Sequence, residues 1–272
     1  MLGSLMSSGE QIYLDRDHPQ WKQALGLLVD ELQKTVKDKQ AAQILLRGFP
    51  EGDDEDLKDT LLDLGFSEQR LPDVCLVKDL SWQDHQEYVK RLGRKYRNNF
   101  RKEILAHTDE FDVVTEPNMS AAEIQHCYEL YCNVHARAAE LNVYRLPFTF
   151  FDQICQHPDY DIIRLYCKED PAARTAEKPI GVMYSFVKNG LYSALMVGLD
   201  YDYLTSHSPY KQMLYHTVQR AWELNCQTLD LAYTAVLEKK KVGARPYPSY
   251  AYVQLMDHYN QAVLASFAGV SA

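Results

Sequence analysis

The stretch VGLDYDYLTSHSPYKQMLYHTVQRAWELNCQTLDLAYT, residues 197–234, decides how this chain folds. It contains the end of an apolar strand, 191–199, then an irregular polar segment and a helix predicted over 209–225, with Pro209 in its first turn, where a missing N–H is tolerated. A second strand is predicted at 228–234. This order places polar residues just beyond two strand ends, which is where ligands usually bind in mixed sheets.

A hairpin precedes this stretch. Asn189-Gly190, the strongest short hairpin signal, separates strands predicted at 179–187 and 191–199. Ser81 and Ser120 are expected to cap the helices that follow them, and Glu123 completes a capping box with Ser120. The remaining periodicity predicts helices at 18–38, 54–64, 81–106, 120–141, 148–156 and 236–242, strands at 43–49, 73–78, 111–115, 161–167 and 250–256, and a surface loop at 171–178.

Composition excludes several classes of protein. The 272 residues are 46% hydrophobic and 25% charged, which is ordinary for a folded chain. A net charge of −9 argues against a surface that coats nucleic acid as a whole. Six cysteines without a CxxC pair predict reduced thiols, no metal and a cytoplasmic protein. No run of 18 apolar residues occurs, so no membrane span is expected, and residues 1–10 lack the basic leader of a signal peptide.

Familiar catalytic motifs are missing: GxSxG, HExxH, Walker A and a GxGxxG after a strand do not occur. A basic segment, residues 90–102, stands out instead, with Arg94, Arg97 and Arg101 three and four positions apart on one helix face. Such a row can bind phosphate bidentately. A solvated basic face that balances the acidic N-terminal third is an equally good interpretation.

The start of the 209–225 helix is a second candidate site. A helix N-terminus offers unpaired N–H groups and a positive dipole end, which suit a pyrophosphate. Ser206 and Ser208 can add hydroxyl donors, and Tyr210 and Lys211 occupy the first turn. The alternative is that the serines only cap the helix.

These residues together resemble the GNAT acyltransferase superfamily, and more narrowly its branch akin to the Fem-type peptidoglycan aminoacyltransferases. The resemblance covers about residues 80–256 and rests on SWQDHQEYVKRLGRKYRNNFRKEI (81–104), residues 197–234 and LEKKKVGARPYP (237–248). Ala232-Tyr233 stands where the branch often has Gly-Arg, and the (Q/R)-x-x-G-x-(G/A) loop of ordinary GNAT members is absent. Thr234, Ala235, Lys239, Gly243 and Ala244 match, in this order, the T-A, the K and the G-A of a pattern that recurs in the branch.

The resemblance implies an α+β fold with a GNAT-like mixed, mostly antiparallel central sheet flanked by helices. It implies an acyltransferase domain over residues 81–272, preceded by a partial second GNAT-like lobe over residues 10–80. The strands 191–199 and 228–234 are then expected to lie side by side and to part at their ends.

The resemblance also implies a reaction. An amine acceptor, either a small molecule or a cell-wall precursor, attacks an activated acyl group directly, and the donor is acyl-coenzyme A or an aminoacyl-tRNA. Asp200 is the candidate base and Tyr233 the candidate acid or orienting hydroxyl, although Asp200 can also cap a turn and Tyr233 can also simply pack. Backbone N–H groups of Val197, Gly198 and Leu199, together with Thr234, are assigned to the donor. Lys239 joins the three arginines as a phosphate or acceptor ligand.

A second hypothesis comes from another class of protein. The missing glycine loop is also compatible with a catalytically silent GNAT-like module that binds a phosphorylated ligand or a partner protein.

Overall fold

A computed structural model describes residues 8, 12–50, 55–138, 144–257, 259–260 and 263. Most of the first ten residues, for which no leader is expected, and the predicted end of the 120–141 helix lie outside this part of the chain. The chain divides into two compact units, Met1–Asp73 with Tyr247–Ala272, and Val74–Pro246. The division into residues 10–80 and 81–272 remains a prediction.

Helices and strands are interspersed along the described part of the chain. The helices are α1 (Trp21–Asp38), α2 (Glu55–Asp63), α3 (His85–Arg91), α4 (Arg94–Glu103), α5 (Ala121–Arg137), α6 (Phe148–Ile154), α7 (Pro171–Thr175), α8 (Leu204–His207), α9 (Pro209–Glu223) and α10 (Val236–Lys241). The strands are β1 (Gln43–Pro50), β2 (Ser67–Lys78), β3 (Phe111–Val114), β4 (Tyr160–Cys167), β5 (Gly181–Lys188), β6 (Leu191–Leu199), β7 (Thr228–Asp230) and β8 (Arg245–Leu255). Two 3₁₀ turns occupy Leu105–Glu110 and Tyr201–Tyr203.

The first unit is a small helix-on-strand layer. β1 pairs antiparallel with the last part of β8, from Gln43↔Leu255 to Pro50↔Ser249. Helices α1 and α2 are amphipathic, and they bury Leu25 and Leu61 against the apolar side of β1. Burial of such a continuous apolar cluster is the main stabilising term in a layer of this kind.

The second unit contains the sheet predicted from the resemblance. Its strands pair in the order β7, β6, β5, β4, β3, with Leu76–Lys78 of β2 on the other side of β7. Every pair is antiparallel except β6 with β7, which is parallel. Helices α5 and α9 flank the sheet, and α9 inserts Met213 and Val218 into its apolar core. The predicted fold class, a mixed and mostly antiparallel sheet flanked by helices, is confirmed.

The helix predicted at 81–106 is wrong, because the structure interrupts it. Residues 81–106 form α3 and α4, which are separated at Leu92, an extended residue, and Gly93. Glycine in a helix interior costs about 1 kcal/mol relative to alanine, so a break is least costly there. Asp84 rather than Ser81 caps α3, because its carboxylate accepts from the N–H of Glu87. The predicted surface loop at 171–178 also holds the short helix α7.

Candidate functional site

The parallel strands β6 and β7 share only three paired positions. The pairs are Leu191↔Thr228, Tyr192↔Leu229 and Ser193↔Asp230. β6 then continues to Leu199, whereas β7 ends at Asp230. The two strands therefore lie side by side and part towards their carboxyl ends, as expected, but the second strand is four residues shorter than predicted.

The chain leaves β7 through a turn towards β2. Asp230 Oδ1 accepts a hydrogen bond from the N–H of Ala232 at 2.7 Å. The N–H of Leu231 donates to the carbonyl of Cys75 at 2.9 Å, and the N–H of Cys75 donates to the carbonyl of Ala232 at 3.0 Å. These bonds draw the chain away from β6 and open the edge of that strand.

A β-bulge marks the same point of β6. Tyr184 pairs with Met196 and Ser185 pairs with Ala194, so Leu195 is an extra residue that has no paired residue on β5. Among the described residues, β7 places nothing opposite Ala194–Leu199. Bulges occur preferentially beside active sites, where they redirect backbone and side-chain groups. Val197, Gly198 and Leu199, the predicted donors, lie along this part of β6. Successive N–H groups of a strand alternate between its two sides, so only some of them face the open edge, and their role stays a prediction.

The loop after β7 is held in an unusual conformation. Ala232, Thr234 and Ala235 have φ values of 58°, 62° and 45°, in the left-handed region. Non-glycine residues pay about 1–3 kcal/mol each for such conformations, which persist only where surrounding contacts enforce them. The strand prediction for 231–234 failed because its apolar alternation does not reveal these dihedral angles.

Lys239 supplies one of the enforcing contacts. Its side chain is buried, with only 4% of the residue exposed, and its ammonium donates to the carbonyl oxygen of Tyr233. Burial lowers the pKa of Lys239 to about 8. The side chain is directed at the loop instead of lying on the surface, so its predicted contact with phosphate or acceptor stays a prediction.

Asp200 follows β6 directly. Its N–H donates to the carbonyl of Ile180 at 2.8 Å, and its Oδ1 accepts from the N–H of Asp202 at 2.9 Å. Asp200 therefore caps the 3₁₀ turn Tyr201–Tyr203, which is the simpler of its two interpretations. The capping bond uses one carboxylate oxygen, and the role of Asp200 as a base remains a prediction.

The start of α9 differs from a simple serine cap. Ser208 has φ 48°, and its side chain makes no capping bond, although its carbonyl accepts from the N–H of Lys211 at 3.0 Å. Burial raises the pKa of Tyr210 well above its ordinary value. The side chain of Ser206 lies outside the described part of the chain.

Glu103 is a residue that sequence reasoning missed. Its Oε2 accepts from Lys211 Nζ and from Lys241 Nζ, each at 2.9 Å, so one carboxylate joins α4, α9 and α10. These two cations, Lys241 first, hold the pKa of Glu103 below its ordinary value. The pairing of Lys241 could not be read from the sequence because Glu103 lies 138 positions away.

The three arginines of the row lie on one helix, as expected, but they differ in their exposure to solvent. Arg94 and Arg101 are exposed on α4. Arg97 is half-buried, and its guanidinium donates to the carbonyl of Leu92 at 3.2 Å, back across the break between α3 and α4. Phosphate binding by this row stays a prediction.

A mixed sheet whose single parallel pair opens at its carboxyl end, beside a bulge and a helix start, defines a GNAT-type fold. A family model described as "Acetyltransferase (GNAT) domain" matches residues 94–247, more than half of the chain. The chain belongs to the GNAT acetyltransferase family. No curated protein sequence matches it.

Several solved structures share this fold. FemX aligns with a TM-score of 0.61 at 13% identity, over 90% of this chain and 79% of that one. L-PGS from Bacillus licheniformis aligns with a TM-score of 0.58 at 13% identity, over 90% and 78%. The C-terminal DUF2156 domain of a putative lysylphosphatidylglycerol synthetase from Agrobacterium fabrum aligns with a TM-score of 0.60 at 12% identity, over 93% and 78%. The predicted resemblance to GNAT proteins of the Fem type is confirmed at the level of fold.

Proposed function

We propose that this protein is an N-acyltransferase in which an amine acceptor attacks an activated acyl group directly. Membership of the GNAT family and the FemX and L-PGS folds support acyl or aminoacyl transfer in general. The observation that carries the proposal is the opening between β6 and β7 beyond the Ser193↔Asp230 pair. An open strand edge supplies backbone N–H groups that a closed sheet would consume in pairing.

Much of the rate enhancement in such a reaction does not depend on individual side chains. Aligning two bound reactants alone is worth about 7–11 kcal/mol of the barrier. Backbone N–H groups near Val197 and Leu199 are suited to polarise the acyl carbonyl and to stabilise the oxyanion that forms there.

In the proposed reaction, the C–N bond forms first and gives the tetrahedral oxyanion, and the bond to the leaving group breaks as the carbonyl forms again. Asp200 accepts the proton that the amine loses, and the Tyr233 hydroxyl donates a proton to the leaving thiolate or ribose oxygen. The free oxygen of Asp200 and the fixed loop around Tyr233 support these assignments.

We propose acyl-coenzyme A as the donor, with aminoacyl-tRNA as the competing donor. A net charge of −9 favours the smaller of the two, because a tRNA contact requires broad positive potential. The pairing of Lys211 with Glu103 reduces the positive charge available at the start of α9. The acceptor is proposed to be a small-molecule amine or a cell-wall precursor amine.

The protein is proposed to act in the cytoplasm. All six cysteines are free thiols, as in a reducing compartment. Among the residues that the structure describes, no helix combines the length and apolarity needed to cross a bilayer.

The decisive experiment compares donors and variants in one assay. The purified chain is incubated with a panel of amines and either acyl-coenzyme A, read by thiol release, or tRNA charged with a labelled amino acid. Asp200→Asn is the informative variant, because an amide oxygen can keep the turn cap while the base is lost. It should lower kcat by about 10²–10⁴-fold, the usual contribution of a general base.

The matched control is Asp202→Asn, which changes an exposed carboxylate two residues away and should leave kcat unchanged. Transfer from charged tRNA but not from any acyl-coenzyme A would reassign the donor. Tight binding of coenzyme A without any transfer would contradict acyltransferase activity and favour a catalytically silent binding module.

A further inference from the structure

Three potential metal ligands meet at the end of β4, outside the residues assigned to acyl transfer. Cys167 is the last residue of β4, Glu169 follows two positions later, and His207 ends α8. Cys167 Sγ lies 3.5 Å from His207 Nε2, and Glu169 Oε2 lies 3.3 Å from the same nitrogen. The three ligand atoms all lie within 4.8 Å of one another. We call them the Cys167 cluster.

Two members of the cluster are already held in place. Cys167 is buried in the β3–β4 pair opposite Phe111, and the next residue, Lys168, donates its N–H to the carbonyl of Glu110 at 2.9 Å. The His207 ring packs edge-on against Phe111, at 6.0 Å between centroids, and it packs at a tilt against Tyr203, at 5.7 Å. Ligands fixed before a metal arrives lose little conformational entropy when they bind it.

The third member provides access from solvent. The Glu169 side chain is 74% exposed, whereas that of His207 is 11% exposed. A cation can therefore approach the buried thiol and imidazole from the side of this exposed carboxylate.

The thiol and the carboxylate meet at one atom of the imidazole. The Nε2 atom carries either one proton or one lone pair, which the thiol and the carboxylate share. A metal ion between the three atoms would satisfy all of them. In a tetrahedral zinc site, bonds of about 2.3 Å to sulfur and about 2.0–2.1 Å to nitrogen and oxygen set the S···N edge at about 3.6 Å and the N···O edge at about 3.3 Å.

From this geometry we propose that Cys167, Glu169 and His207 bind a zinc ion. Thiolate and imidazole are ligands that zinc prefers over magnesium or calcium, and three protein ligands leave a fourth position for water. A bound zinc ion would link the end of β4 to α8, which leads through Ser208 into α9. The sequence predicted no metal because the cysteine and the histidine lie 40 positions apart and form no local motif.

The proposal is tested with untagged, metal-free protein, since a histidine tag would itself bind the probe. Titration with Zn²⁺ in calorimetry should give one site per chain, with proton release when the thiol becomes a thiolate. Titration with Co²⁺ should give a thiolate-to-cobalt charge-transfer band. Neither readout depends on acyltransferase activity, so failure of the proposed function would leave this test intact.

Variants separate the cluster from other thiols. Cys167→Ser and His207→Gln should each abolish the cobalt band, and Glu169→Gln, at an exposed side chain that leaves the fold intact, should weaken zinc binding at least about tenfold. Cys132→Ser, which removes a half-buried thiol on α5, is the matched control and should keep the band. The proposal is overturned if wild-type protein binds no zinc, if the band survives in Cys167→Ser, or if Glu169→Gln binds zinc as tightly as wild type.

Discussion

The ammonium group of Lys239 donates a hydrogen bond to the main-chain oxygen of Tyr233, and this contact ties α10 to the loop that leaves β7. The loop contains three non-glycine residues in the left-handed region, so it depends on such contacts for its shape. The backbone position of Tyr233 is thus held by a side chain six residues further along.

Lys239→Met tests this positioning role. Methionine keeps much of the length and burial but removes the donor, so the loop should relax and acyl transfer should fall by about 10–100-fold, as misplacement of a reacting group by about 1 Å can do. Stability should change by no more than about 1–2 kcal/mol, because removing a buried charge offsets the loss of a partner for the Tyr233 carbonyl.

The control for this variant is Lys240→Met, which removes the neighbouring charge on the same helix. It should leave both activity and stability near those of wild type. Wild-type activity in Lys239→Met would contradict the positioning role.

The same lysine predicts a pH dependence of stability. Burial lowers the pKa of Lys239 to about 8 in the folded chain, from 10.5 in an ordinary environment. Between these two values the unfolded chain binds more protons, so the free energy of unfolding rises with pH through this window. The rise from this one group should be at most about 3 kcal/mol, and it is lost again as the pH falls to 8 and below.

Urea unfolding of wild type and Lys239→Met, from about pH 7 to pH 10, isolates this effect. Tyrosines and cysteines titrate in both proteins, so the difference between the two curves belongs to residue 239. Parallel curves across the window would show that the pKa of Lys239 is not lowered.

Local signals in the sequence predicted the fold well where short-range chemistry decides the structure. Asn189-Gly190 forms the expected turn, with φ values of 51° and 76° that suit these two residue types. Ser120 accepts from the N–H of Glu123, as the capping box requires. The Glu123 side chain, however, does not return to the helix start, and it enters the core instead.

Non-local chemistry set the limit of prediction at the candidate site. The order of elements predicted that strands 191–199 and 228–234 would be neighbours that part. The early end of β7 and the bulge at Leu195 depend on contacts with β2 and β5 that no local pattern encodes. For the same reason, the sequence did not predict that Cys167 and His207 lie close together.

The buried pair of Glu123 and Arg164 is expected to be a major determinant of stability. Arg164 donates to Glu123 Oε2 at 2.8 Å, Tyr166 donates to the other carboxylate oxygen, and both charged residues are less than 5% exposed. Glu123→Gln leaves Arg164 buried with a weakened partner, and breaking such a pair costs about 3–5 kcal/mol. Urea unfolding measures the loss.

A double variant provides the control. Replacing both charges, Glu123→Leu with Arg164→Met, should cost less than Glu123→Gln alone, because no charge is then left unpaired in the core. Tyr166→Phe should cost about 1.5–3 kcal/mol, the value of one hydrogen bond to a charged group. A loss below about 1 kcal/mol in Glu123→Gln would show that the pair is screened by water.

Gly198 of β6 is expected to be difficult to replace, for reasons of space. A Cβ atom at this position would lie 2.6 Å from the backbone nitrogen of Tyr131 and 2.8 Å from the carbonyl carbon of Leu130, both in α5. Backbone atoms of a packed helix cannot move aside as a side chain can, so Gly198→Ala should destabilise the protein by about 1–3 kcal/mol or more. It should also displace the open edge of β6 and reduce acyl transfer.

Gly181, on the adjacent strand β5, provides the matched control. A Cβ atom there would meet the Met213 methyl group at 3.2 Å, and that flexible side chain can adjust. Gly181→Ala should therefore cost clearly less than Gly198→Ala in urea unfolding, although both residues lie in paired strands of one sheet. Equal costs for the two substitutions would mean that strand propensity, and not the approach of α5, explains the glycine at 198.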